Sequence, residues 1–205
     1  NGSSELLSNI SMSIVSMLYN SQLLRYIGED GIAAYGVLMY VNFIFFAVYI
    51  GYAVGTAPVT GYHYGAGNYG ELKGLLKKSV VIISVTSLIM FGAGEGLAVP
   101  MSKIFVGYDT ELFALTKRAF FICSFMFLFG GIGVYGSSFF TALNNGLISA
   151  LISFLRTLVF QIAAVLLLPL VWGVDGIWVS IVAAEFLSAV VTVIFLFAYR
   201  KKYRY

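Results

Sequence analysis

Two residues of opposite charge lie inside long apolar stretches of the sequence. Glu185 occurs in GIWVSIVAAEFLSAVVTV, well away from both ends of the stretch, and Arg156 occurs in LISALISFLRTLVF. A charged group in the hydrocarbon core of a membrane is costly, so it usually pairs with an opposite charge or faces a water-filled pathway. Two interpretations follow. The residues form an ion pair that supports the structure, or Glu185 exchanges protons or cations with an aqueous path.

A second group of polar residues repeats every three or four positions near the start of the chain. Its members are Glu5, Asn9, Ser13, Ser16 and Asn20. At the helical period this spacing confines all of them to an arc of about 80°. Lipid offers no hydrogen bonds, so the stripe must face other helices or a water-filled cavity. Helix–helix contact explains the Ser residues, whereas the carboxylate favours the cavity.

The second apolar stretch places aromatic and polar side chains on one helical face. They are Tyr35, Met39, Asn42, Phe46, Tyr49 and Ala53. This face is either a ridge for packing against another helix or the wall of a site for flat, amphiphilic cations, which aromatic rings attract.

The segment GAGNYG, residues 65–70, matches the G-x-G-x-x-G pattern of dinucleotide-binding sites. That pattern binds a pyrophosphate only where a strand precedes it, a helix follows it and an acidic residue about 20 positions later reaches the ribose. Here apolar stretches long enough for membrane spans lie on both sides. We therefore predict a turn between two spans. His63 and Cys123 are isolated, so we expect no metal site and no cofactor.

Composition indicates an integral membrane protein. Of the 205 residues, 60% are hydrophobic and 10% are charged, and the mean hydropathy is +0.93, whereas soluble domains carry about 25% charged residues. The Lys and Arg residues are confined mainly to ends and loops, which suits contact with membrane lipid and not with nucleic acid. The chain also begins with Asn and not with Met, which suggests a fragment.

A helical span needs about 20 mostly apolar residues. The sequence predicts six such spans, near residues 4–24, 31–57, 77–98, 113–136, 148–170 and 176–199. Breakers separate them, and Pro58, Pro100 and Pro169 fall near predicted span ends. The expected fold is an all-α integral membrane bundle, with residues 1–205 forming a single six-helix lobe.

The distribution of basic residues predicts the orientation of the spans. If both termini share a side with the 58–77 and 137–148 loops, that side collects Lys73, Lys77, Lys78, Arg156, Arg200, Lys201, Lys202 and Arg204. The opposite side has Arg25, Lys103, Lys117 and Arg118. Cytoplasmic loops carry the excess of Lys and Arg, so both termini are expected in the cytoplasm.

The order of these features resembles the C-terminal half of bacterial multidrug and toxic compound extrusion transporters. The similarity runs through GSSELLSNISMSIVSMLYN, GYAVGTAPVTGYHYGAGNYGELKGLLKKS, TALNNGLISALISFLRTLVF and GVDGIWVSIVAAEFLSAVVTV. Its most specific part is the Tyr-x-Tyr-Gly-Ala-Gly-Asn segment, residues 62–68, followed by a basic helix start. In that family this segment is a cytoplasmic connection.

The resemblance implies a twelve-helix antiporter made of two pseudo-symmetric lobes, of which this chain is helices seven to twelve. Some members use an acid in the tenth helix, but the matching span here, TKRAFFICSFMFLFGGIGVYG, has none. Glu5, Asn20, Arg156 and Glu185 fall where members often have the same residue types, which fits either a polar network or ion coupling.

We therefore expect a lobe of a bacterial inner-membrane antiporter that is coupled to H⁺ or Na⁺ and exports small organic cations by alternating access, together with a missing N-terminal six-helix lobe. The alternatives are a lipid-linked precursor flippase of the same superfamily and an inactive fragment that only binds its missing half. The spans contain no His and no pair of acids at catalytic spacing, so an enzyme is not expected.

Overall fold

Helices make up almost the whole chain in the structure, a computed structural model that describes the backbone of residues 2–205 and the side chains of residues 10–205. In chain order they are α1 (Gly2–Tyr26), α2 (Glu29–Gly65), α3 (Tyr69–Val106), α4 (Thr110–Cys123), α5 (Phe127–Ala142), α6 (Gly146–Phe154) and α7 (Phe160–Tyr203). A 3-10 turn, Ser124–Met126, joins α4 to α5, and a π turn, Leu155–Val159, joins α6 to α7. The described residues contain no strand, and the predicted all-α membrane fold is confirmed.

Four helical stretches are long and apolar enough to cross a membrane: Glu29–Gly65, Tyr69–Val106, Thr110–Ala142 and Gly146–Tyr203. The last has 58 residues, which at 1.5 Å per residue is far longer than a bilayer core of about 30 Å. Gly173, with φ 58° and ψ −132°, breaks its helical geometry. This break falls between the fifth and sixth predicted spans. The count of six spans stays a prediction, because part of α1 lies outside the described side chains.

The helices extend well beyond the predicted spans, and the turns between them are short. The loop predicted at 58–77 is mostly helix, since α2 ends at Gly65 and α3 begins at Tyr69. Pro58, Pro100 and Pro169 all lie inside helices and not at their ends. An apolar run marks only the part of a helix that lies in hydrocarbon, whereas the backbone hydrogen bonds continue into the interface.

The α2–α3 turn closes as a Schellman motif, in which a residue with positive φ follows the helix and two backbone bonds cap its last carbonyls. Asn68 donates its backbone N–H to the His63 carbonyl at 2.9 Å, and Gly67 donates to the Tyr64 carbonyl at 3.1 Å. Gly67 has φ 70°, which glycine adopts without steric cost. The GAGNYG segment is therefore a helix cap, with helices on both sides of it.

The turn between α5 and α6 closes in the same way at the same end of the bundle. Asn145 donates to the Phe140 carbonyl and Asn144 to the Thr141 carbonyl, both at 2.9 Å. Asn144, with φ 57°, has the left-handed backbone conformation that Gly67 has in the α2–α3 turn. Asn145 then caps α6 by accepting a hydrogen bond from the Ile148 amide at its Oδ1.

Aromatic side chains gather at this end and hold the C-terminus against the bundle. The Tyr205 hydroxyl donates to the Leu196 carbonyl at 3.0 Å, and its ring packs on Phe139. The Arg204 guanidinium lies 5.3 Å from the centre of the Tyr69 ring. Burial raises the pKa of Tyr205 above its ordinary value. The contact between Arg204 and Tyr69 thus holds the end of α7 beside the start of α3.

At the opposite end, an ion pair links α4 to the break in α7. Arg118 donates from Nε to Asp175 Oδ1 at 2.8 Å, and a second, short bond runs from its Nη2 to Oδ2. The Arg118 side chain is 66% exposed, and because solvent screens an exposed pair, its contribution to stability is small. Arg118, a basic residue within the fourth predicted span, thus has a partner in the ion pair.

Helix α5 packs against α2, α3, α6 and α7. Its sequence FGGIGVYG supplies buried glycines at these contacts. A Cβ atom on Gly131 would lie 2.8 Å from both Tyr49 and Ile83, and one on Gly136 would lie 2.1 Å from Thr192 Cγ2. These distances are shorter than carbon atoms tolerate, so the neighbouring helices approach α5 as only glycine permits.

Candidate functional site

A cavity of about 720 Å³ lies between α1, α2, α5 and the segment from α6 to α7. Helix α2 forms its main apolar wall, because Tyr35, Met39, Phe46 and Ala53 all line it. Asn42 lies on the same wall. The face predicted for the second span is therefore a cavity wall along most of its length.

Tyr49 is on the predicted face but does not line the cavity. Its hydroxyl lies 2.9 Å from the Phe127 carbonyl oxygen and 3.2 Å from Ser87 Oγ. The ring is pressed against Gly131. Tyr49 thus tethers α2 to α3 and to the start of α5, and its contribution is to packing.

Arg156 and Glu185 meet at the cavity wall. Arg156 Nε donates to Glu185 Oε2 at 2.9 Å and to Oε1 at 3.1 Å. The guanidinium carbon also lies 5.2 Å from the centre of the Phe46 ring, within range of a cation–π contact. The predicted ion pair is therefore present. Since both residues also line the cavity, the pair stands where a solute or an ion can reach it.

The two side chains differ in how far they face the cavity. The Arg156 side chain is 19% exposed and the Glu185 side chain is 6% exposed. A Cβ atom on Gly130 would lie 3.3 Å from Glu185 Oε2, so the carboxylate packs beside α5. Arg156 is therefore the more exposed partner of the pair.

The π turn Leu155–Val159 carries Arg156. Single π turns inside helices occur frequently at functional sites. Arg156 and Thr157 both line the cavity, and the Thr157 hydroxyl donates to the Ser153 carbonyl at 2.8 Å. The wide turn therefore presents two consecutive polar side chains to the same space.

The polar stripe of the first predicted span is only partly at the cavity. Of its described members Ser16 lines the cavity, whereas Ser13 and Asn20 do not. The side chains of Glu5 and Asn9 lie outside the described residues. The proposed role of the stripe in an ion or substrate pathway stays a prediction.

Tyr19, which lies beside the stripe, links three helices. Its hydroxyl donates to Gln161 Oε1 at 2.7 Å and lies 2.8 Å from Ser180 Oγ. Its ring stacks on Tyr35 with centroids 5.4 Å apart and planes 3° from parallel. The sequence gives no signal for this bridge, since the two hydrogen-bond partners of Tyr19 are more than 140 residues away.

Hydroxyl groups of α5 and α6 form a cluster at the cavity margin. Ser137 Oγ lies 2.8 Å from Ser153 Oγ and 3.0 Å from Ser149 Oγ. Thr141 Oγ1 lies 2.6 Å from Ser149 Oγ. Ser149, Ser153 and Thr157 are spaced four apart in the sequence, so the helical period indicates that these hydroxyl groups share one face.

Glu95 is an acid within α3 that the predicted polar faces do not include. Ser124 in the 3-10 turn donates a short hydrogen bond to its Oε1. Neither residue lines the cavity. This contact ties α3 to the joint between α4 and α5. Among the described residues, no three His, Cys, Asp or Glu side chains gather into a possible metal site.

Known proteins are similar to this chain in sequence or in fold. The sequence model of the MatE family matches residues 6–167. None of the curated protein sequences compared with the chain matches it.

Solved structures share the fold. The outward-facing conformation of a multidrug resistance MATE family transporter of the MOP superfamily has a TM-score of 0.91 and 22% identity, over 99% of this chain and 46% of that one. A MATE structure in complex with MaL6 has a TM-score of 0.89 and 22% identity, over 99% and 46%. The Vibrio cholerae MATE transporter VcmN in the bent form has a TM-score of 0.86 and 18% identity, over 98% and 45%.

The chain therefore spans less than half the length of these transporters. At such identities the superpositions establish the fold alone. The sequence match covers most of the chain, and its long apolar helices are those of a multi-pass membrane protein. The chain belongs to the MatE family of membrane transporters.

Proposed function

We propose that the chain is one lobe of a bacterial inner-membrane antiporter that exports amphiphilic organic cations in exchange for H⁺ or Na⁺. The observation that carries this proposal is the cavity of about 720 Å³, which combines aromatic walls with an intramembrane ion pair. Aromatic faces attract cations, and a volume of this size suits a drug-sized molecule.

A second six-helix lobe is the partner that this proposal requires. Met12, Phe43 and Val54 line the cavity yet are 60%, 75% and 65% exposed. One side of the cavity is therefore left open by this chain. A lobe placed against that side would complete the walls, and rocking of the two lobes would expose the cavity to each side of the membrane in turn.

Ion coupling is assigned in this proposal to Glu185. A proton or Na⁺ that binds the carboxylate would weaken its two hydrogen bonds from Arg156 Nε. Arg156 lies in the π turn and Glu185 in α7, so the loss of this link would loosen the contact between the two segments. The orientation that follows from the basic residues places both termini in the cytoplasm.

Proteoliposomes test the proposal. The chain is expressed together with the protein encoded upstream of Asn1, and export of tetraphenylphosphonium is measured with an imposed pH gradient, with a Na⁺ gradient and with neither. We expect export with one gradient and none without. Glu185→Gln in combination with Arg156→Met should bind the probe but lose the dependence on the gradient. Equal movement with and without gradients would refute antiport.

The same proteoliposomes test the alternative that the chain is an inactive fragment that only binds its missing half. The 205-residue chain alone should bind tetraphenylphosphonium but should not move it. If the chain alone binds no probe and only associates with the upstream protein, its cavity is not a binding site in isolation. Six further apolar stretches in the upstream coding sequence are expected, and their absence would contradict the two-lobe arrangement.

A further inference from the structure

Exposed basic side chains gather at the end of the bundle that holds the α2–α3 turn and the C-terminus. Glu71 is the only acid among the side chains described at this end. The ion pairs of the described residues are Arg118 with Asp175 and Arg156 with Glu185, so these basic residues have no acidic partner there. They are Lys73, Lys77, Lys78, Arg200, Lys201, Lys202 and Arg204. Their positive charge is therefore not balanced by the described part of the chain.

Arg204 brings the C-terminus to one face of α3. Its guanidinium lies 5.3 Å from the centre of the Tyr69 ring. Tyr69, Lys73 and Lys77 follow one another at intervals of four residues, so they are neighbours on one face of the helix. Arg204, Lys73 and Lys77 are all exposed. Three cations therefore border the same surface.

The same face of α3 continues as an exposed apolar strip. Val81 and Val85 extend the spacing of four, and they are 55% and 51% exposed. The third predicted span begins at Lys77, and Lys73 lies one turn, about 6 Å, further out. The headgroup layer on each side of a bilayer is about 5–7 Å thick. The lysines thus stand at the depth of lipid headgroups and the valines at the depth of acyl chains.

Tyrosine residues at this end support the same depth. Tyr62 is 70% exposed, and the Lys202 ammonium lies 5.5 Å and 5.4 Å from the centres of the Tyr199 and Tyr203 rings. Tyr is enriched where a membrane meets water, because its ring is apolar and its hydroxyl is polar. The rings and the basic groups therefore occupy one interfacial layer.

We propose that this face of α3, together with Arg204, binds an anionic phospholipid. The phosphate lies among Lys73, Lys77 and Arg204, and an acyl chain lies along Val81 and Val85. A guanidinium binds phosphate through parallel N–H groups, and lysine adds a point charge. A zwitterionic headgroup also carries a cationic group, which these residues repel. The five residues do not line the cavity, so this lipid site is separate from the proposed substrate site.

Native mass spectrometry of the 205-residue chain, released from detergent micelles, tests the proposal. Dioleoylphosphatidylglycerol and dioleoylphosphatidylcholine have the same acyl chains and differ in headgroup charge. We expect the anionic lipid to bind about tenfold more tightly or better, since each basic residue near an anionic lipid surface gives about a fivefold gain. Equal affinities for the two lipids would overturn the proposal.

Inorganic phosphate distinguishes a lipid site from a site for a soluble anion. Phosphatidylglycerol should raise the melting temperature of the chain, whereas phosphate alone should not, because it has no acyl chain to place on Val81 and Val85. An equal rise with both would show that the lipid assignment is wrong.

Paired variants assign the binding to the named residues. Lys73→Gln with Arg204→Gln should remove most of the preference for the anionic lipid. Arg25→Gln with Lys103→Gln removes two exposed cations at the opposite end, which gives the same change in net charge, and should leave the preference intact. Lys73→Arg with Arg204→Lys keeps both charges and should also retain it.

A second pair covers the case in which loss of the contact between Arg204 and Tyr69 lowers the melting temperature without lipid. Lys73→Gln with Lys77→Gln removes the same charge, leaves that contact in place and should also remove most of the preference. A preference that survives in both pairs, or an equal loss in the opposite-end variant, would refute the assignment. Neither result affects the transport proposal, which depends on the cavity.

Discussion

At the scale of single residues, Arg156 and Glu185 depend on each other. Moving either charge out of water costs several kcal/mol, which attraction and well-formed hydrogen bonds offset only when both partners are present. Here Glu185 receives its two hydrogen bonds from Arg156, and the Phe46 ring lies over the guanidinium. Removal of one partner should therefore be more harmful than removal of both.

The first prediction concerns this dependence. Glu185→Gln leaves the guanidinium without its counter-charge, so we expect the free energy of unfolding to fall by about 3–5 kcal/mol. Arg156→Met in the same chain should recover most of the loss. Thermal unfolding in detergent micelles measures both effects. Glu71→Gln, a change at an exposed acid near the start of α3, is the matched control. A single variant as stable as the parent chain would show that the pair contributes nothing to folding.

At the scale of helices, α5 is the element on which the site depends. Its glycines bring α2 and α7 close enough for Phe46 and Glu185 to meet Arg156. The virtual Cβ of Gly130 lies 2.5 Å from Phe46 Cζ, and that of Gly133 lies 3.3 Å from Arg156 Cδ. A larger residue at either position would push the walls of the cavity apart.

The second prediction tests this close packing away from the cavity charges. Gly136→Ala places a methyl group where Thr192 Cγ2 stands, at 2.1 Å, and overpacking of this kind costs about 1–3 kcal/mol. Thr192→Ser removes the clashing methyl group and should restore stability. Gly92→Ala, at a helical glycine with open space around it, should be neutral or stabilising, because alanine favours the helix. Equal melting temperatures for Gly136→Ala and Gly92→Ala would contradict the packing argument.

The turn between α2 and α3 gives the third prediction. Gly67→Ala puts a Cβ atom in a left-handed conformation, which costs about 1–2 kcal/mol, while the backbone bonds of the Schellman motif remain available. Gly70→Ala, one residue into α3 with nothing nearby, is the control and should not destabilise the chain.

The same two variants test the nucleotide interpretation of this segment. Because Gly67 serves to cap α2, titration with NAD should give no saturable binding in either variant. Saturable binding of NAD that disappears in Gly67→Ala would restore the nucleotide interpretation of GAGNYG.

At the scale of the whole molecule, the turns between the helices lie at two opposite ends of the bundle. The α2–α3 turn, the α5–α6 turn and the C-terminus lie at one end, as the contact between Arg204 and Tyr69 and the packing of Tyr205 on Phe139 indicate. Exposed Lys and Arg residues are concentrated there. They are Lys73, Lys77, Lys78, Arg200, Lys201, Lys202 and Arg204. This asymmetry favours a cytoplasmic location for that end.

The fourth prediction concerns this orientation. In a Cys123→Ser background, Gly70→Cys should react with a membrane-impermeant maleimide only after the cells are opened, whereas Glu29→Cys should react in intact cells. Both positions are exposed, and Cys123 is buried, so reactivity reports the side of the membrane. Strong labelling at position 70 from outside would reverse the proposed topology.

The sequence by itself determined the all-α membrane fold, the faces of the helices and the presence of charges within the spans. These features depend on composition and on the helical period, which are local properties of the chain. The resemblance to a transporter half added the family. The period also placed Tyr35, Met39 and Asn42 together on the face that became the cavity wall.

Only the tertiary structure decided which of these residues share a space. Tyr35 and Tyr49 lie on the same helical face, yet one lines the cavity and the other bonds to Phe127 and Ser87. Arg156 meets Glu185 and Phe46 although the three residues lie in different elements, and no periodic pattern encodes those contacts. The hydrogen bond between Ser124 and Glu95 likewise depends on how the helices pack. Which neighbour a helix face meets, and at what distance, depends on side-chain volumes in several helices at once, so a pattern within one helix does not determine it.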